Sequence, residues 1–320
     1  MSSRVLVLLA TLLTCICLEC HVVLAQDTQC TVELVVLGTA QDAGAPQIGN
    51  NNDPAWQDPA KKRLASSLAI IDYELEQRYL FEATPDVREQ LYRLDKHITF
   101  DKPKPGLNGV FLTHAHIGHY AGLMFFGHES MGAKELAVYV MPRMAEFLSN
   151  NGPWDQMVRY DNISLNPLTD QKTNRLSKHL SVTPYLVPHR DEYSETVGFV
   201  IDTPKQSVLF VPDIDSWDEW EQEFGIRVED MIDQVDWAFV DATFYDNNEI
   251  PGRDMSSFPH PRIAHMLKRF EHLKPKQKEK IQFIHLNHTN PARFPDSDQS
   301  KRINALGFQV ASDGDNACLM

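Results

Sequence analysis

Three histidines fall within six residues, at His114, His116 and His119. A neutral imidazole binds divalent metals through one ring nitrogen, and histidine is the commonest protein ligand of that kind. His114 and His116 could not face one ion from a helix, because each helical residue turns by about 100°. At a strand end or in a loop they can converge. The run Gly109-Val110-Phe111-Leu112 before them reads as a strand, and Tyr120 to Phe126 after them reads as a helix. The spacing predicts a strand that delivers imidazoles at its end, with a helix starting at once.

Other metal-competent residues sit where apolar strand-like runs stop. Arg78 to Phe81 leads to Glu82, Val182 to Val187 to His189, and Ser207 to Val211 to Asp213. Trp237 to Val240 leads to Asp241, and Gln282 to Ile284 to His285. Strand ends along one rim share a crevice, which is where ligands bind in open α/β sheets. Further strands are expected at Thr31 to Gly38, Ser66 to Ile71, Ala137 to Val140 and Thr196 to Ile201. Helices are expected from Thr84, as N-cap with Pro85 at the first helical position, and over Pro142–Leu148, Trp217–Phe224 and Pro261–His272. Asn50 to Lys62 reads as a surface excursion and Lys276 to Lys280 as a solvated turn. Strands and helices interleave through both halves without a short repeat or low-complexity linker. This predicts one α/β domain with two sheets inside and helices outside.

The order of these residues resembles the metallo-β-lactamase superfamily, whose fold is a four-layer αββα sandwich. That family carries a His-x-His-x-Asp-His loop, then a His, an Asp and a last His. Here the loop is His114-Ala115-His116-Ile117-Gly118-His119, and the later positions are His189, Asp213 and His285. The likeness runs from about Val35 to Pro291. Leu37-Gly38-Thr39-Ala40 and His285-Leu286-Asn287-His288-Thr289-Asn290-Pro291 further resemble the branch that contains pyrroloquinoline quinone biosynthesis protein B.

The resemblance implies that His114, His116 and His189 hold a first metal. Asp213 would bridge to a second, with His119 and His285 completing that site and Glu82 supporting the loop. Zinc is the default ion, one or two per chain, with iron as the alternative. Zinc lowers the pKa of a bound water from ~15.7 toward ~7 and so supplies hydroxide at neutral pH, with Asp213 orienting it or relaying its proton. The chemistry implied is hydrolysis of a small ester, lactone, amide or phosphoester. An iron-dependent oxidoreductase and a non-catalytic metal-binding protein are the rival readings. Gly118 stands where the family has an aspartate, so one anionic ligand is missing. Asp42, Asp191, His260 and His288 are candidates to replace it, and Asp241 is a candidate to support the site. Tyr245, Arg253 and His260 lie where substrate contacts are expected, and Asn247 to Arg253 could cover the crevice.

Residues 1–25 read as a cleaved secretory signal: Arg4, an apolar run from Val5 to Leu18, then small residues up to Ala25. The remaining 26–320 form the expected single domain, with no membrane attachment after cleavage and a secreted or lumenal destination. Of the five cysteines, Cys15, Cys17 and Cys20 fall in the signal. Cys30 and Cys318 remain, and in an oxidising compartment they are expected to pair. Asn162-Ile163-Ser164 is a glycosylation sequon expected on a surface loop, whereas Asn287-His288-Thr289 lies too close to the metal motif for modification. A formal charge of −14 repels polyphosphate, which argues against nucleic acid and leaves a small molecule as the expected partner.

Overall fold

The first strand, β1 (Val32–Gly38), is apolar on both faces because both faces are covered. Val32, Leu34 and Val36 point into one packed layer, and Val35 and Leu37 into another. The structure, a computed structural model, describes residues 30–320, so the segment expected to be a signal lies outside the described residues. The chain continues through β2 (Ser67–Asp72), β3 (Gln77–Phe81), β4 (Gly109–Phe111), β5 (Leu136–Val140) and β6 (Ile163–Pro167). The second half supplies β7 (Asn174–Arg175), β8 (Ser181–Leu186), β9 (Val197–Asp202), β10 (Ser207–Val211), β11 (Trp237–Asp241), β12 (Ile281–Ile284) and β13 (Gln309–Val310). A last strand, β14 (Asn316–Cys318), returns to the first half and pairs antiparallel with β1.

Two seven-stranded sheets result, ordered β14-β1-β2-β3-β4-β5-β6 and β13-β12-β11-β10-β9-β8-β7. In each half, antiparallel strands come first and parallel ones follow. β3 to β6 run parallel in the first sheet, and β10 to β13 in the second. The sheets meet through an aromatic interior. Phe111 stacks on Phe81 at 4.9 Å and on Tyr139 at 4.4 Å, and takes the edge of Phe199 at 5.6 Å from the other sheet. Each such buried aromatic contributes roughly 1.5–3 kcal/mol relative to exposure.

Helices close the outer faces. Over the first sheet lie α1 (Val87–His97), α2 (Ile117–Tyr120), α3 (Pro142–Asn150) and α4 (Trp154–Arg159). They bury Val87, Leu94, Tyr120, Met144, Leu148, Trp154 and Met157 against Val35, Val110 and Val138. Over the second sheet lie α5 (Trp217–Phe224), α6 (Val228–Gln234), α7 (Ile263–Arg269), α8 (Pro275–Lys280) and α9 (Asp298–Ala305). Trp217, Trp220, Ile232, Met266 and Ile303 pack there against Leu209, Val211 and Val240. The four-layer αββα arrangement is the one expected. Among the described residues, no helix is long and apolar enough to cross a membrane.

Several local expectations are corrected. α1 starts at Val87, not beside Thr84, because the Thr84 hydroxyl accepts from Asp86 N at 3.1 Å and donates to Gln90 at 2.8 Å, closing a turn first. Lys276 to Lys280 is helical, since Pro275 starts α8 and Gln277 accepts from Lys274 N at 2.7 Å. α7 covers only the middle of the helix expected over Pro261–His272. The Asn162 sequon is not on the surface: Asn162 is 1% exposed and its amide donates to Ala133 O, so a glycan there does not fit the fold. The Cys30–Cys318 bridge is present, with Cα atoms 5.6 Å apart, and it ties β14 to the start of β1.

Candidate metal centre

Parallel pairing brings the expected residues to one rim. β3 and β4 end together, so Glu82 and the His114 loop emerge side by side. β10, β11 and β12 also end together, which places Asp213, Asp241 and His285 in a row. β8 delivers His189 through the turn after Leu186. Eight described non-glycine residues adopt positive φ. Four of them, Asp42 (39°), Glu82 (75°), His260 (78°) and His285 (65°), belong to this rim. Such backbone costs of order 1–3 kcal/mol and persists where the surroundings impose it, commonly at functional sites.

His114, His116, His189 and Asp213 form a first group of convergent donors. His116 Nδ1 lies 2.9 Å from His114 Nε2 and 3.2 Å from His189 Nε2. Asp213 Oδ2 lies 3.3 Å from His114 Nε2. The far nitrogens are engaged elsewhere: His114 Nδ1 with Thr113 Oγ1 (2.8 Å), His116 Nε2 with Glu192 (2.9 Å) and His189 Nδ1 with Asp215 (2.6 Å). The carboxylates of Glu192 and Asp215 take the far ring protons of His116 and His189, so the near nitrogens of these two rings carry lone pairs toward the centre. Ligand atoms ~2.0–2.1 Å from a shared tetrahedral ion lie ~3.3 Å apart, so the spacing suits zinc.

A second group is Asp42, His119 and His285. His119 Nε2 is 2.8 Å from Asp213 Oδ2 and 3.7 Å from Asp42 Oδ1. His285 Nδ1 lies 2.9 Å from Thr243 Oγ1, whose hydroxyl donates to Asp241 at 2.8 Å. That chain places the proton on Nδ1 and leaves Nε2 free. A third group joins Asp213, Asp241, His260 and His285. Here His260 Nδ1 donates to Asp241 Oδ2 at 2.7 Å and lies 3.4 Å from Asp213 Oδ1.

The electrostatics favour a cation. Burial lowers His114 well below its ordinary range, with neighbouring imidazoles adding to the effect, and burial also lowers His116 and His285. Neutral imidazole is the ligating form. Asp213 is held ionised, because His285 and His119 outweigh its burial. His119 is raised well above its ordinary value despite burial, since Asp213 and Glu82 attract positive charge. His260 is likewise pushed up to about 9 by Asp241 and Asp213, against burial. Buried atoms without a hydrogen-bond partner include both oxygens of Glu82, both nitrogens of His119, Asp213 Oδ1 and His285 Nε2. Each orphan costs roughly 1–3 kcal/mol, and an ion among His119 Nε2, His285 Nε2 and Asp213 would remove that cost for the atoms facing it, whereas Glu82 and His119 Nδ1 lie on the far side of the ring. The residues fit a metal.

Not every expected residue joins the site. Asp191 accepts from Thr196 Oγ1 at 2.9 Å and braces the loop, outside all three groups. His288 turns to Asn50, with Nδ1 3.0 Å from its amide, and is also outside them. Glu82 lies 3.6 Å below His119 Nδ1 as a support. Tyr245 is packed in the outer core against α7, so it is not placed to touch substrate. Arg253 is exposed, with its guanidinium over Phe258. Sequence reasoning missed Asp215, Glu192, Thr113 and Thr243, which hold the far sides of the imidazoles. Asp215 carried a usable signal, standing two residues after Asp213 on the same strand end.

Beside the centre opens a cavity of about 740 Å³. Asp215, Trp217, Phe258, His260, Arg262 and His265 are among the residues that line it.

Comparison with known proteins agrees with this geometry. The family model described as the Beta-lactamase superfamily domain matches residues 77–286. The coenzyme PQQ synthesis protein B of Xanthomonas oryzae pathovar oryzae is 27% identical over 316 residues, covering 88% of this chain and 98% of that protein. The zinc-bound crystal structure of PqqB from Methylobacterium extorquens superposes with a TM-score of 0.73 at 21% identity, covering 89% of this chain and 99% of its own. A diphosphatase of the PhnP family superposes at 0.63 and 21% identity, covering 89% and 96%. With its fold, its matched residues and its convergent histidines in agreement, this chain belongs to the metallo-β-lactamase superfamily and resembles the coenzyme PQQ synthesis protein B.

Proposed function

We propose that the protein is a secreted, zinc-dependent hydrolase of a small ester, lactone, amide or phosphoester. The observation that carries this is the convergence of His114 Nε2, His116 Nδ1 and His189 Nε2 beside Asp213, at the edge of a cavity sized for a small molecule. His114, His116 and His189 would hold the metal, which supplies Lewis acidity and a water of lowered pKa when bound. Asp213 Oδ1, buried and unpartnered, is the acceptor that orients the attacking water. His260 lines the cavity, and Asp241 fixes a proton on its Nδ1. That imidazolium is the proton source for the leaving group, with Asp213 and Asp241 stabilising its charge. The acidic surface supports a small substrate over nucleic acid. The signal-like leader and the Cys30–Cys318 bridge support secretion.

The test is metal analysis of the purified protein, with hydrolysis of p-nitrophenyl esters and bis(p-nitrophenyl) phosphate. Tightly bound zinc and hydrolysis that a chelator abolishes and zinc restores are expected. A folded chain that takes up no metal would overturn the reading. The match to coenzyme PQQ synthesis protein B along 98% of that protein favours a second reading, an iron-dependent oxidoreductase of quinone-cofactor synthesis. Histidine and carboxylate donors suit iron as well. Iron in the purified protein, with redox activity in place of hydrolysis, would select it.

A further inference from the structure

We infer that Asp42 is a ligand of a second metal ion, closing a site with His119 and His285 and standing in for a side chain at position 118. This rests on the reading of the first group as a metal site.

The space around Gly118 is already filled. A Cβ built there would lie 2.5 Å from Asp42 Oδ1, 2.4 Å from Asp42 Cα and 3.0 Å from its Cβ. Real Cβ atoms do not approach so closely. Asp42 thus fills the volume in which any side chain at 118 would begin. Glycine is required because another carboxylate has taken the place, and that carboxylate arrives from the loop after β1.

The loop is fastened where the site needs it. Leu286 N donates to Thr39 O and Gln41 N donates to Leu286 O, both at 2.9 Å. The residue after His285 is therefore bound to the residues before Asp42. Gly44 N closes the turn onto Gln41 O at 2.9 Å. Asp42 itself takes φ 39°, a conformation that aspartate tolerates better than most residues.

The unsatisfied atoms favour this site over the third group. His260 Nδ1 is already committed to Asp241. Asp241 accepts from Ile214 N at 3.0 Å, Thr243 N at 2.9 Å and the Thr243 hydroxyl. By contrast, His285 Nε2 is buried without a hydrogen-bond partner, and His119 Nε2 faces only the carboxylates of Asp213 at 2.8 Å and Asp42 at 3.7 Å; each imidazole is 1% exposed. Those two imidazoles and Asp42 have donor atoms within 4.8 Å of one another. Asp42 is also the exposed member, so the site opens to solvent on its side.

Zinc stoichiometry, together with a cobalt(II) titration followed by visible absorption, tests the inference on the full chain. Two ions per wild-type chain are expected. Asp42→Asn should keep the first and weaken the second by at least the ~10–100-fold that even an outer partner of a metal ligand provides. Gly118→Ala changes no ligand, yet its methyl group must displace Asp42, so it should lose the second ion in the same way. Retention of the second ion at wild-type affinity in either variant would overturn the assignment. A wild-type chain that takes one ion, unchanged by Asp42→Asn, would overturn it while leaving the hydrolase reading standing. A chain that takes none would remove both.

Discussion

Asp215 Oδ1 lies 2.6 Å from His189 Nδ1, so one strand end serves the centre twice: Asp213 faces the site and Asp215 holds the back of an imidazole. A carboxylate behind a metal-binding histidine fixes its tautomer and ring angle and raises its basicity. Asp215→Ala should therefore lower affinity for the first zinc ~10–100-fold while leaving the fold intact. Competition against a chromophoric chelator gives the affinity, and circular dichroism confirms the fold. Unchanged affinity would show that His189 is positioned by packing alone.

The Asp53–Arg293 pair joins the 46–62 loop to the stretch after His285. Asp53 Oδ2 and Arg293 Nη2 are 2.5 Å apart, with side chains 0% and 3% exposed. A buried pair is weak evidence for net stabilisation, but removing one partner strands the other charge. Asp53→Ala should cost roughly 3–5 kcal/mol, while removal of both charges in Asp53→Leu/Arg293→Met should cost less. Urea unfolding midpoints of the two variants decide between this and a pair that contributes nothing.

Much of the centre was legible before the fold was known, and the reason is local. Short continuous apolar runs mark β3, β4, β10, β11 and β12, strands covered on both faces, and a polar residue just past such a run emerges at the rim. Glu82, His114, Asp213, Asp241 and His285 are all of this kind. Asp42 could be shortlisted but not chosen, because only the packing of its loop against α2 brings it to Gly118. β14 was missed for a similar reason. Asn316-Ala317-Cys318 has no strand pattern, and its strand state comes from pairing with β1 at the other end of the chain. Asn162 was misread because a polar residue in a sequon looks exposed, while its side chain is buried and its amide nitrogen donates to Ala133 O.

The Cys30–Cys318 bridge spans 288 residues of sequence and holds β14 against β1. Closing so long a loop constrains the unfolded chain, with a typical effect of 2–4 kcal/mol. Cys318→Ser should lower stability by about that amount. Amide exchange should rise first in Asn316–Cys318 and in the β1 amides facing them. Equal exchange in wild type and variant would mean that the strand pairing holds without the bridge.

Glu249 offers a pH-dependent test away from the metal donors. Its carboxylate accepts from Tyr245 N at 2.6 Å and from the Thr289 hydroxyl. Burial outweighs those bonds and pushes its pKa from 4.5 up to about 7. The native chain therefore holds this proton more tightly than the unfolded chain between pH ~4.5 and ~7. Stability then falls as pH rises through that window, because the unfolded state ionises more readily. Glu249→Gln keeps the shape and cannot ionise. Its melting temperature should exceed that of wild type at pH 8, with the difference shrinking toward pH 5. Thermal melts of both proteins at pH 5, 6, 7 and 8 measure it. A constant difference across the series would show that Glu249 ionises no less readily in the folded chain than in the unfolded one.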